Sequence, residues 1–140
     1  MIYFSDKLTE DSKYNDAVHN LFASLANNHN EFQLVHNTKD IWMCDFMPVR
    51  TKSGRYVAFR YEPSYLSGTP ELCTEYRRDI SSQLGISVTY SDINLDGGNV
   101  VFSPSRKQAI TSDRVFSENP FCDHAVLVRE LESLLEARVI

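Results

Sequence analysis

The segment Asp40-Ile41-Trp42-Met43-Cys44-Asp45-Phe46-Met47-Pro48 puts an indole, a thiol and a carboxylate within four positions. A carboxylate beside an aromatic ring suits a planar cation. Its two oxygens can accept parallel hydrogen bonds from one guanidinium group. The plainer reading, a core tryptophan next to a solvated aspartate, is the one that spacing alone favours.

A second segment, Asp92-Ile93-Asn94-Leu95-Asp96-Gly97-Gly98-Asn99, carries two adjacent glycines. Such a pair permits positive φ or close approach of backbone to a ligand, and it also fits an ordinary tight turn. Asp92, Asn94, Asp96 and Gly97 match the opening of a calcium loop of the helix-loop-helix type. The match then fails, because the twelfth position is Ser103 rather than a bidentate glutamate. A third segment, Phe121-Cys122-Asp123-His124, sets a thiol two residues from an imidazole. No second pair with ligand spacing exists to complete a zinc site. Asp123 is better read as a helix N-cap whose charge suits the helix dipole.

These segments need elements to hold them. Ile2-Tyr3-Phe4 reads as a strand stopped by Ser5-Asp6-Lys7. A helix is expected over 9–27, with Ala17, Leu21 and Leu25 four apart and Val18 and Phe22 beside them. Asn27-Asn28-His29-Asn30 ends it, since these side chains compete for the backbone. Phe32-Gln33-Leu34-Val35 reads as a strand, and Ile41-Trp42-Met43 as the start of another extended segment. Residues 46–49 and 56–61 form a hairpin across Arg50-Thr51-Lys52-Ser53-Gly54. A second helix is expected over 71–84, with Gly85 as its C-cap, followed by a strand over 86–90. A second hairpin joins 99–103 to 108–111, and a last helix runs over 123–138 with Leu127, Leu131, Leu134 and Leu135 inward. The element order partly repeats, with no sequence repeat behind it.

Composition narrows the function classes. The chain has 140 residues and 16.1 kDa, the size of one domain spanning 1–140. A net charge of −5 supplies no basic stripe for nucleic acid. A hydrophobic content of 42% with 8 Phe and 7 Tyr argues for a packed core. No apolar run approaches the ~20 residues of a membrane helix, and the start lacks the basic region of a signal peptide. No membrane partner and a cytoplasmic location are therefore expected. The 3 cysteines, without close spacing, fit reduced thiols.

Three stretches together resemble one family. Asp40 to Pro48 resembles the D-x-W-x-R-D-x-x-P stretch of agmatine deiminases and bacterial-type peptidylarginine deiminases. Leu95-Asp96-Gly97-Gly98-Asn99-Val100-Val101 resembles their glycine-pair strand, and Ala109 to Pro120 resembles the segment that follows. Phe59-Arg60-Tyr61-Glu62-Pro63, between the first two, also fits.

The resemblance implies an α/β fold, a partial pentein of about two consecutive ββαβ-type units from a propeller around a central channel. In that family a cysteine attacks the guanidinium carbon, acidic residues hold its nitrogens, and a histidine handles the protons. Carried onto this chain, Asp45 is the substrate-binding aspartate and Trp42 the aromatic before it. Gly97, Gly98 and Asn99 are the glycine-pair strand near the site, and Arg60 stands where some relatives use a basic residue. Cys44 replaces the family's arginine and is not its nucleophile. The family's G-H-x-D segment and late cysteine have no counterpart in these residues.

The expectation is a truncated, deiminase-related chain, non-catalytic alone, with recognition of a guanidino small molecule or an arginine side chain. No cofactor is implied. The alternatives are an N-terminal fragment of an active deiminase and a self-associating module. A homo-oligomer would cover the edges left by absent units.

Overall fold

A computed structural model describes residues 1–140. It opens with two parallel strands, β1 (Ile2–Ser5) and β2 (Phe32–Val35), in register from Ile2 opposite Phe32 to Ser5 opposite Val35. Between them lie α1 (Lys7–Glu10), a 3-10 turn (Ser12–Tyr14) and α2 (Asn15–Asn27). The single helix expected over 9–27 is thus broken. Asp11 is extended, and its side chain accepts from the Lys13 amide at 3.0 Å, the local competition that aspartate offers a helix. The packed stripe of α2 is also narrower than expected. Val18 is buried and Phe22 stacks on Phe32 at 4.5 Å, while Ala17 and Leu21 face solvent.

The middle of the chain holds a mixed sheet. A helical turn, α3 (Met43–Phe46), precedes β3 (Val49–Arg50), which pairs antiparallel with β4 (Tyr56–Arg60). Residues 41–43 do not start a strand. The Met47 amide closes a turn on the Met43 carbonyl at 3.0 Å, and extended backbone begins only at Met47. Pro48 is the cause, since the residue before proline is driven out of the helical region. The crossover from β4 carries 3-10 turns at Ser64–Leu66 and Pro70–Leu72, a π-wound turn at Tyr76–Ile80, and α4 (Ser81–Leu84). It returns as β5 (Val88–Asn94), parallel to β4. The continuous helix expected over 71–84 is interrupted because Cys73 and Glu75 are extended. The Asp79 carboxylate then accepts from the Glu75 amide at 2.9 Å and restarts the winding. Gly85, at φ +60, ends it as expected.

The last third repeats this connectivity. β6 (Val101–Phe102) pairs antiparallel with β7 (Gln108–Ile110), and helices α5 (Arg114–Glu118) and α6 (His124–Leu135) lead to β8 (Arg138–Val139), parallel to β7. Asp123 caps α6 as expected, accepting from the Ala125 and Val126 amides at 3.0 Å each. The helix stops at Leu135 rather than at residue 138, because Glu136 adopts the left-handed region at φ +54. Strand β8 and helix α5 have no expected counterpart.

The three sheets are small and separate, and none closes into a barrel. No helix is long and apolar enough to cross a membrane. Strand β4 is buried on both faces. Val57 and Phe59 join Leu127, Leu131 and Leu135 of α6 in one core, while Ala58 and Tyr61 join Val35, Phe46 and Ile80 in the other. The register of β4 against β5 shifts between Phe59 and Arg60, so Arg60 turns outward and Tyr61 turns in.

Candidate functional site

Helix α3 packs directly on the 3-10 turn Gly97–Asn99. A Cβ on Gly97 would run into the Cys44 carbonyl, and one on Gly98 into the Asp45 carboxylate. The glycine pair is therefore required by close approach; neither residue has positive φ. This contact fixes Asp45, whose amide also donates to the Trp42 carbonyl at 3.0 Å.

A second carboxylate, Asp96, lies close enough to feel its charge. Asp96 follows the buried Leu95 at the end of the β5 run, and its carbonyl accepts from the Asn99 amide at 2.9 Å. The Tyr65 hydroxyl donates to Asp96 Oδ2 at 3.4 Å and lies 3.3 Å from the hydroxyl of the buried Tyr61. The Arg114 guanidinium sits 4.4 Å from the Tyr65 ring centre. Burial, and after it the charge of Asp45, hold the Asp96 carboxyl above the usual carboxylate range, while Arg114 and Tyr65 pull it the other way. Burial pushes the Tyr61 phenol far up, so it stays protonated and can donate. Burial and then Asp45 also raise the Cys44 thiol, which donates to Asp45 Oδ1 at 3.4 Å. That is the reverse of what activates a nucleophilic thiolate.

A polar network sets the Tyr65 loop above Asp96. Asn94, 5% exposed, gives its Nδ2 to the Glu62 carbonyl at 2.7 Å and accepts the Glu62 amide at 2.9 Å. Glu118 of α5 accepts the Ser64 hydroxyl at 2.7 Å and the Arg114 Nε at 3.1 Å. Asn119 donates to the Asn94 carbonyl and accepts its amide, each at 2.9 Å. Helix α5, with no counterpart in the sequence reading, is thus the brace behind the site.

Of the residues singled out from sequence, Asp45, Gly97 and Gly98 come together. Trp42 stands at the start of α3, 58% exposed. Asn99 is half-buried, and its Oδ1 accepts the Ser112 amide at 3.2 Å, which ties the turn to the approach of α5. Arg60 is not brought to the carboxylates. It is exposed, lies 3.8 Å from Glu62 and lines a different cavity. Sequence reasoning missed Asp96, Tyr61 and Tyr65 as site residues. Asp96 had a signal, its place immediately before the glycine pair; the tyrosines had none.

Two neighbouring carboxylates with few protein partners of their own can hold a cation that offers several N–H groups. A groove of about 450 Å³, with Met47, Val49, Val100 and Phe102 among its walls, runs beside Cys44 and Gly97 and could take an aliphatic chain. No group of three His, Cys, Asp or Glu side chains is placed to hold a metal ion.

No family model matches the chain, and no curated protein matches it. Solved structures do. The agmatine deiminase of C. jejuni superposes with a TM-score of 0.52 at 16% identity, covering 84% of this chain and 37% of that one. A cysteine-to-serine variant of the same enzyme with substrate bound gives a TM-score of 0.52 at 14% identity, covering 84% of this chain and 38% of its own. The chain therefore spans less than two fifths of the structures it matches, and over that span it has the fold of part of agmatine deiminase.

Proposed function

We propose that these 140 residues are the guanidinium-holding part of a pentein-type deiminase fold and are not catalytic by themselves. Asp45 and Asp96 would take the guanidinium nitrogens, and the groove beside Cys44 would take the aliphatic chain of agmatine or of an arginine side chain. The observation that carries this is the pairing of two under-partnered carboxylates across a glycine contact, in a chain with part of the agmatine deiminase fold. The two segments of hairpin, helix and parallel strand support the reading of two successive ββαβ units of the propeller.

Covalent deimination needs a thiolate nucleophile and an acid–base group at the guanidinium. Cys44 is held as a thiol. None of the histidines stands at the carboxylates: His36 pairs with Asp6 at 3.6 Å, His124 stacks on Phe116 at 4.1 Å, and His19 and His29 lie on and after α2. Calorimetry with agmatine and with arginine tests the reading. Saturable binding is expected, weakened at least tenfold (~1.4 kcal/mol) by Asp45→Ala, with no ammonia released. Unchanged affinity in Asp45→Ala would overturn the cradle, and ammonia release, whether or not it survives Cys44→Ser, would overturn the absence of catalysis.

A second reading, self-association, has its own observation. Val101 lies opposite Ile110, and the Ile140 amide bonds to the Ala109 carbonyl at 2.9 Å, which brings Ile140 beside Ile110. These three side chains form an apolar row across β6, β7 and β8, exposed by 60%, 55% and 59%. A second copy meeting this row would cover it. Sedimentation showing a dimer that dissociates on Ile110→Lys is expected, and a monomer at high concentration would contradict it.

A further inference from the structure

A cavity of about 390 Å³, lined by neither Asp45 nor Asp96, lies between the C-terminal halves of β4 and β5 and the crossover that joins them. Beyond the carboxyl ends of parallel strands is where ligands most often bind in open α/β sheets. One wall is the π-wound turn, a winding that recurs at functional sites. That turn begins with Tyr76, which is 3% exposed and whose hydroxyl has no hydrogen-bond partner. A buried hydroxyl left unpaired is unfavourable, and a ligand oxygen would relieve it. Burial keeps this phenol protonated, hence a donor.

The next residue, Arg77, has no carboxylate within ion-pair reach. Its guanidinium lies 4.9 Å from the ring centre of Tyr90, which is 44% exposed. Stacked in this way, its N–H edge stays free for an oxyanion. Arg78 differs, being engaged by Asp79 at 2.8 and 2.9 Å. The strand ends bring charge of the other sign to the same cavity. Asp92 forms no ion pair, and Glu62 has only the loose contact with Arg60 at 3.8 Å.

We propose that this cavity binds a free α-amino acid. Its carboxylate meets Arg77 and the Tyr76 hydroxyl, its ammonium meets Asp92 and Glu62, and its side chain lies against Tyr90. A simple anion would leave the two carboxylates unmatched, and a simple cation would leave Arg77 and Tyr76 unmatched. The cavity shares the wall residue Tyr61 with the guanidinium cradle, but neither Asp45 nor Asp96 lines it, so the two binding events can be tested apart.

Amide chemical-shift titration of the whole chain with L-leucine and L-phenylalanine, neither of which carries a guanidinium, tests this. Saturable shifts in the millimolar range are expected at Tyr76, Arg77 and residues 90–92. Arg77→Ala should weaken binding about tenfold, a difference of ~1.4 kcal/mol. Tyr76→Phe removes only the unpartnered hydroxyl, so it should weaken binding without lowering the thermal midpoint. Phenethylamine, which lacks the carboxylate, and 3-phenylpropionate, which lacks the ammonium, should each bind at least about tenfold more weakly than L-phenylalanine. Asp45→Ala should leave the titration unchanged. Absence of saturable shifts at these residues, equal binding of either analogue, or loss of the response in Asp45→Ala would overturn the proposal.

Discussion

Two carboxylate sites on this molecule are built in opposite ways. Glu136, just past α6, is saturated by the protein. It accepts the Ser53 amide at 2.8 Å, the Ser53 hydroxyl at 2.9 Å and Arg55 Nε at 2.7 Å. The Ser53 amide and hydroxyl, with Arg55 behind them, hold it down at about 2. It clamps the β3–β4 turn to the end of α6. Asp45 and Asp96 receive much less. One accepts a thiol at 3.4 Å and the other a phenol at 3.4 Å, both long for hydrogen bonds. Where a carboxylate serves the fold, the chain supplies its donors. At Asp45 and Asp96 the chain supplies few donors, and the proposed guanidinium would supply the rest. That contrast in partner supply, rather than the count of acidic residues, is what the proposed cradle rests on.

The largest effect expected is on binding. Asp96→Ala should weaken agmatine by ~1.5–3 kcal/mol, the range of a charge-assisted hydrogen bond, whereas Glu136→Gln should leave agmatine affinity unchanged. Calorimetry on the two variants either keeps or erases the distinction. Next in size is Gly97→Ala, whose new methyl meets the backbone carbonyls of Cys44 and Met47. Neither is the end of a flexible side chain, so a loss of ~1–3 kcal/mol in denaturant unfolding is expected. Gly68→Ala, which meets nothing nearby, should cost far less.

The two sites should also respond oppositely to pH. The folded pKa of Glu136 is depressed from 4.5 to about 2, so its contribution is present above 4.5 and is lost as pH falls toward 2. Thermal unfolding should show Glu136→Gln less stable at neutral pH, with the gap closing across that acid window. The folded pKa of Asp96 is raised, so its ionisation disfavours the fold as pH rises through that value. Asp96→Asn should therefore be slightly more stable than the parent at neutral pH, with the advantage vanishing in acid. This is the smallest effect and the one that most sharpens the contrast.

Local signals carried much of the outline. Residues 2–4 and 32–35, the second hairpin, the second arm of the first, the Gly85 stop and the Asp123 cap were legible, because alternation, turn chemistry and capping act within a few residues. The first arm, expected over 46–49, is shorter and later at Val49–Arg50, because Phe46 is wound into α3. The failures lie where a longer-range partner decides. The helix expected over 71–84 yields to Asp79 reaching back to the Glu75 amide. Strand β8 exists because β7 offers it an edge, while the sequence there continues a helical pattern. Asp45 and the glycine pair were visible through the resemblance, but their contact was not, since Gly98 needs Asp45 only once α3 is laid on the turn. Tyr61 and Tyr65 become site residues through a register shift in β4 and a loop held by Glu118, neither of which leaves a pattern in the sequence.

The most direct test follows the Asp96 carboxyl carbon by NMR through a pH titration, with and without agmatine. A guanidinium bound between the carboxylates favours the ionised form. The free chain should show Asp96 titrating above the ordinary aspartate range, and saturating agmatine should move that midpoint down, with Asp45→Ala abolishing the ligand-induced shift. An Asp96 midpoint unmoved by agmatine at concentrations that saturate calorimetric binding would show that the cation sits elsewhere, and would contradict the cradle.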